Sequence, residues 1–246
     1  MEFITTNKRR FDLIDEADEY YFAAMKANNK TTKKKLLNKA VEICEFHWDA
    51  HLQLILFEKD LEKKYKKLLK LEPEVRKDML ENEDVSFEED MGSFYSILET
   101  RPYIRVLYSL FINAIEINRF RSAFEIGKNI LALNESDNTG VRYFMYPLCV
   151  LLEETEELEK IDKFYDAGYA ANALALYYHY RKLGKKTKAN NVLKDAHSYE
   201  VDELCDIYVG VKPPSDAHDL LHLIFMPLMF QNEYLTDQML ERYWKY

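Results

Sequence analysis

ALNESDNTGVRYFMYP, residues Ala132 to Pro147, decides how the chain is read. The stretch leaves one apolar pattern, crosses small and polar residues, and enters another apolar pattern. Asn134 to Gly140 is dense in side-chain oxygens and ends in glycine. That composition suits either an ion or phosphate site or a joint between two helices. A calcium loop needs an alternating Asp/Asn ladder closed by a glutamate. A phosphate loop needs Lys and then Ser or Thr after its last glycine. The stretch has neither. Asp137 or Asn138 suits a helix N-cap instead, because the first N–H groups of a helix lack intrahelical acceptors. Gly140 would then sit in the first turn, where a missing side chain lets another helix approach. A joint at this point implies helices on both sides.

Working outward, the helical pattern holds. Ile104, Leu107, Phe111, Ala114 and Ile115 share one face of a helix over 102–118, with Thr100 as N-cap ahead of Pro102. Phe120, Ala123, Gly127, Ile130 and Leu131 mark a second helix. Val141, Phe144, Met145 and Leu148 mark a third, which Pro147 should kink. A fourth spans about Glu156–Ala167, and Gly168 stops it. A fifth runs from Ala170 with Ala173, Leu176, Tyr177 and Tyr180 in register. Ala189, Leu193 and Ala196 line a sixth. Upstream, the pattern predicts helices at about Lys8–Ala27, Thr32–Phe46, 49–70 and 74–82. Downstream it predicts 217–231 and 235–244.

Composition agrees. Hydrophobic residues make up 48% of the 246 residues and charged residues 31%, which supports a buried core. Glycine and proline number six each, too few for the turns of an all-β domain. The net charge of −9 opposes sequence-independent nucleic-acid binding. Residues 1–80 hold 17 basic and 15 acidic side chains, whereas 81–100 hold seven acidic and no basic ones. The acidic block reads as a long solvated connection. The expected organisation is an N-terminal helical segment at 1–84, the connection at 85–101, helix-pair repeats at 102–210, and capping helices at 211–246. Cys44, Cys149 and Cys205 are far apart and odd in number, which fits reduced, mostly buried thiols in a cytoplasmic protein. The N-terminus shows no apolar core of signal-peptide length. LLHLIFMPLMF, Leu220 to Phe230, is too short to span a bilayer and fits a buried helix, so no membrane partner is expected.

Repetition separates a bundle from a stack of helix pairs. Glu116–Leu133 and Arg181–Ser198 each carry a helix end, a basic tight turn and an alanine at the next helix's first buried position. Those alanines, Ala123 and Ala189, are 66 positions apart, roughly twice the 33–34-residue period of helix-pair repeats. A small residue is required there because hairpin helices approach most closely near their turn. This grammar resembles the tetratricopeptide repeat, with units at about 102–135, 138–168 and 170–200. Phe111, Met145 and Tyr177 stand where that repeat usually has a small residue. ETRPYIR (Glu99 to Arg105) with LNESDNTGVRY (Leu133 to Tyr143) is further similar to bacterial tetratricopeptide proteins related to the suppression-of-tumorigenicity family. The resemblance implies an all-α, right-handed superhelix of antiparallel helix pairs and an interaction role, and it brings no catalytic residues.

Candidate sites follow. HDLLH, His218 to His222, places two histidines on one helix face and resembles the H-E-x-x-H zinc motif, with Asp219 one methylene short of glutamate. Glu233 or Glu241 is a candidate third ligand. HWDAH, His47 to His51, is a second such pair. Both are read chiefly as packing residues, with adventitious zinc or nickel as the most they would bind. No G-x-S-x-G, P-loop or G-x-G-x-x-G occurs, so no cofactor is expected. On the first helices of the repeats, Arg105, Tyr108 and Ile112, then Arg142 and Tyr146, then Tyr178 would line a basic, aromatic groove suited to an acidic or aromatic peptide. The competing reading has the two arginines paired with the acidic 81–100 block and the tyrosines packed between repeats. The expected function is a non-catalytic interaction scaffold. The alternatives are a metal-dependent hydrolase on His218 and His222, or a homodimer built from the 220–230 helix and the aromatic tail (Tyr243, Trp244, Tyr246).

Overall fold

The computed structural model describes residues 2–165, 170–195, 206 and 219–243. Among them every regular element is helical. They divide into two compact units, 1–113 and 114–246. The division falls inside a helix, α5 (Arg101–Glu116).

The first unit opens with α1 (Glu2–Lys26), α2 (Lys30–Ile43), α3 (Trp48–Leu56) and α4 (Leu61–Asn82). Each packs on the next. Ala17, Ala24, Ala40 and Ala50 are fully buried among α1, α2 and α3, so these backbones approach closely without a large side chain between them. Asn29 caps α2 by accepting the Thr31 and Thr32 N–H groups. The expected 49–70 helix is broken earlier. Asp60 caps α4 through the Lys63 N–H at 3.0 Å, and Glu58 accepts the Lys59 and Asp60 N–H groups between α3 and α4. The break expected near 71–73 is absent, because Pro73 sits on the exposed side of α4. There the carbonyl it leaves without a donor can take water.

The acidic connection is anchored rather than merely solvated. Phe94, in a 3-10 turn (Phe94–Ser96), is fully buried. Phe87 lies 5.1 Å from its ring and 6.2 Å from Tyr103, and Arg76 stacks on Phe87. The Thr100 hydroxyl donates to the carbonyls of Phe94 and Ile97, so it ties the connection to α5 and does not cap α5 with its side chain.

The second unit holds α6 (Phe120–Leu133), α7 (Arg142–Leu152), α8 (Thr155–Tyr165), α9 (Ala170–Lys182), α10 (Lys186–Asp195), α11 (Asp219–Gln231) and α12 (Glu233–Tyr243). Helix α6 packs on α7, α7 on α8 and α9, α9 on α10, and α11 on both α7 and α12. Ala123 and Ala189 are both fully buried. Phe111, Met145 and Tyr177 are buried as well. Every residue from Met145 to Val150 and from Asn172 to Tyr180 is buried. Helices apolar all round and buried all round are central helices, and α7 and α9 form the middle of this unit. Gly168, Ala196 and Cys205 lie outside the described residues. Cys44 and Cys149 are free and buried, and burial pushes both thiols up, Cys44 to about 11.

Candidate functional site

The joint at 134–141 is built around one carboxylate. Asp137 has φ of 44° and is buried. Its oxygens accept the Val141 N–H at 2.9 Å, the Arg142 N–H at 3.1 Å and the Thr139 hydroxyl at 3.2 Å. The N-cap position of α7 is held by Val141, not by Asp137 or Asn138, but the Asp137 carboxylate does the capping from four residues upstream by accepting the N–H groups of Val141 and Arg142. Burial pushes its carboxyl up, against the pull of these donors. Gly140 has φ of +71°, and a Cβ there would meet only the Tyr143 ring in ordinary contact at 3.4 Å. Its glycine is required by the left-handed turn, not by an approaching helix.

Each groove candidate has a definite neighbour. Arg142 pairs with Asp137 at 3.2 Å, donates to the Tyr143 hydroxyl at 2.8 Å, and lies over the rings of Tyr143 and Tyr165. Arg105 forks Asp49 of α3 at 2.7 and 2.5 Å. Neither arginine's ion pair is made with the 81–100 block. Tyr108 is half-buried with its ring 6.5 Å from Phe111, and Ile112 is half-buried. The two remaining candidates are not on a surface. Tyr146 is fully buried and its hydroxyl donates to Asp162 of α8 at 3.2 Å. Tyr178 is fully buried and its hydroxyl lies 2.7 Å from Thr236 of α12. They point to different neighbours, so Tyr146 and Tyr178 do not line one open groove.

The face of α9 that carries Tyr178 is bonded to α12. Thr236 has one hydroxyl proton, and its oxygen lies 3.1 Å from the Asn232 carbonyl and 3.2 Å from that of Met229. Carbonyls only accept, so Thr236 donates to them and Tyr178 donates to Thr236. Tyr177 donates to the Leu235 carbonyl at 3.4 Å. The Arg181 guanidinium meets the Gln238 side-chain oxygen. Residues 177, 178 and 181 thus grip successive positions of α12. Tyr177, Arg181, Thr236 and Gln238 are absent from the sequence-derived set. The signal for them is two tyrosines and an arginine at i, i+1 and i+4 on a helix whose preceding turns are mostly Ala and Leu.

On another side of α9, His179 is buried, with Glu159 and Asp162 of α8 and with Lys185 and Lys188 at the start of α10 acting on it. Burial holds its imidazole below the ordinary value.

The histidine pairs differ in standing. His47 Nδ1 accepts the Ala50 N–H at 3.2 Å, so Nε2 carries the proton donated to Asp18 at 3.0 Å. A neutral His47 then has no lone pair left for a metal. His51 Nε2 donates to the Glu45 carbonyl. His218 lies outside the described residues, and His222 is half-buried on α11. Among the described residues no cluster of three or more His, Cys, Asp or Glu has metal-holding geometry. No helix among them is long and apolar enough to cross a membrane. Helix α11 buries Leu221, Ile224, Phe225, Leu228 and Met229, so its apolar face is used within its own unit. Phe230 and Tyr234 stay 65% and 72% exposed, and Trp244 and Tyr246 lie outside the described residues. Comparison with family models, curated proteins and solved structures returned no match.

Proposed function

We propose that the chain is a non-catalytic, cytoplasmic interaction scaffold, built from tetratricopeptide-like helix pairs that stack as a right-handed superhelix and bind a helix or peptide of a protein partner. One observation carries this reading. Helix α9 holds a helix through the hydroxyls of Tyr177 and Tyr178 and the guanidinium of Arg181. Tyrosine and arginine supply large contact area with directed polar groups, which is the composition of protein-recognition hot spots. The buried, free thiols of Cys44 and Cys149 suit a reducing compartment.

The test is capture by the immobilised full chain, followed by calorimetry with the purified captured protein. The expected result is saturable, stoichiometric binding that is lost in Arg181→Glu while circular dichroism keeps the helix content. Binding that survives both Arg181→Glu and Tyr178→Phe removes the α9 face as the site. Arg105→Glu with Arg142→Glu, the substitution the sequence suggests first, is a poor probe. It sets carboxylates against Asp49 and Asp137 and perturbs the fold as well as any surface.

A further inference from the structure

We propose that α12 is a displaceable internal occupant of the α9 face, and that the occupant this face prefers is a helix with a carboxylate where α12 carries Gln238. The proposal rests on the scaffold reading and names the chemistry of the partner.

The argument begins with Arg181. Its guanidinium is part-buried and meets one neutral amide oxygen. Its Nη1 is buried with no hydrogen-bond partner. No carboxylate of the described residues ion-pairs with it, although Arg105 and Arg142 each have one and Arg10 has two. Acid is not scarce, since the chain holds 43 acidic against 34 basic side chains. Asp237 and Glu241 flank Gln238 on α12, but both are exposed. A glutamine offers one acceptor oxygen and one donor NH2, so it answers one arm of the guanidinium fork and leaves the other without an acceptor. A carboxylate answers both arms.

The second part is how loosely α12 is held. From Glu233 to Glu241, only Thr236 and Met239 are buried, and Tyr234 is exposed. By contrast α11 buries five large apolar side chains. Few of α12's own side chains are thus withdrawn from water, and each of its hydrogen bonds to α9 has a small net worth because water competes for the same groups. Segments with few buried apolar contacts open at the low end of a protein's local stabilities.

Hydrogen exchange on the full chain tests both halves, with Gln238→Glu and Arg181→Gln as variants. The expected result is that α12 amides exchange about a hundredfold faster than those of α9. Gln238→Glu should slow α12 exchange about tenfold, through a charge-assisted bond replacing a neutral one. That slowing should vanish in the Arg181→Gln background. A synthetic 232–243 peptide carrying Gln238→Glu is the second probe. It should bind the full chain at least about tenfold more tightly than the native-sequence peptide, and without preference in Arg181→Gln. Exchange of α12 at the rate of α9 overturns the proposal, as does failure of either peptide to bind or an equal response to both. Those outcomes leave the scaffold reading standing on its own capture test. Loss of capture with α12 behaving as expected would instead sink the scaffold reading.

Discussion

Replacing Asp137 by alanine removes three things at once. The first is the cap. Two backbone N–H groups, those of Val141 and Arg142, lose their acceptor, and such a loss costs ~1 kcal/mol. The second is backbone tolerance. Asp137 has φ of 44°, and alanine in the left-handed region costs about another 1 kcal/mol. The third is the partner of Arg142. Arg142 keeps 24% of its side-chain surface exposed, so water offsets part of the loss. That share is on the order of 1–2 kcal/mol, well below the cost of breaking a fully buried pair. The sum is about 3–4 kcal/mol. Asp137→Asn keeps one acceptor oxygen and tolerates the left-handed conformation, so it should cost about 1–2 kcal/mol. Urea unfolding followed by circular dichroism gives the totals, and hydrogen exchange at the α7 amides gives the local share. An alanine variant within about 0.5 kcal/mol of the parent, near the scatter of surface substitutions, refutes the reasoning. So does an asparagine variant as unstable as alanine.

Other outcomes follow from the same geometry. Arg10→Ala removes the cation that bonds Asp78 and Glu83 at 2.7 to 3.1 Å, leaving Asp78 only the neutral donors Trp48 and Asn82, and should cost about 3 kcal/mol; a double-mutant cycle with Asp78→Asn should recover part of it in urea midpoints. Burial holds His179 below its ordinary value, so the unfolded chain takes the proton first as pH falls past ~6.5. Its contribution is complete above that pH and is lost on acidification toward the folded-state value, so His179→Gln should flatten the fall in urea midpoint between pH 7.5 and 5.5. Thr236→Val leaves the buried Tyr178 hydroxyl without its acceptor, at a cost of about 1–3 kcal/mol, and should speed exchange in α12 while leaving α7 unchanged.

The helices were legible because their apolar residues recur at helical spacing, and Ala123 and Ala189 are buried as the repeat argument requires. The errors have physical causes. The gap expected between 70 and 74 closes although proline usually ends a helix, because Pro73's position on the exposed side removes most of the penalty. The acidic block hid the buried Phe94 and the half-buried Phe87 stacked on it, which are invisible to a charge count. Tyr146 and Tyr178 were assigned to a surface because a repeat's first helix was expected to keep one face open. Yet the sequence NALALYYHY, Asn172 to Tyr180, has no polar stripe to spare for solvent. A helix of that composition asks for cover on every side, and α7 and α10 supply much of it, with α12 meeting Tyr177, Tyr178 and Arg181 from far along the chain.

That cover also fixes how a partner could gain the α9 face. If α12 simply left, the hydroxyls of Tyr177 and Tyr178 and the guanidinium of Arg181 would lose the groups they bond on it. Each would trade a bond within the protein for one to water, at about 0.5–1.5 kcal/mol apiece. An empty face is therefore a rare state, and a partner would gain little by waiting for it. Exchange of one helix for another avoids most of that cost, because those groups are bonded before and after. Recognition then depends on the difference between two occupants and not on absolute contact area. The group that can differ most between them is the one facing Arg181, since the tyrosine hydroxyls are satisfied by a backbone carbonyl or a hydroxyl, which many helices offer. The partner's apparent affinity is its intrinsic affinity reduced by the fraction of chains in which α12 holds the face. A neutral amide at Gln238 keeps that reduction small enough for an acidic helix to overcome, whereas a glutamate there would close the face against all comers.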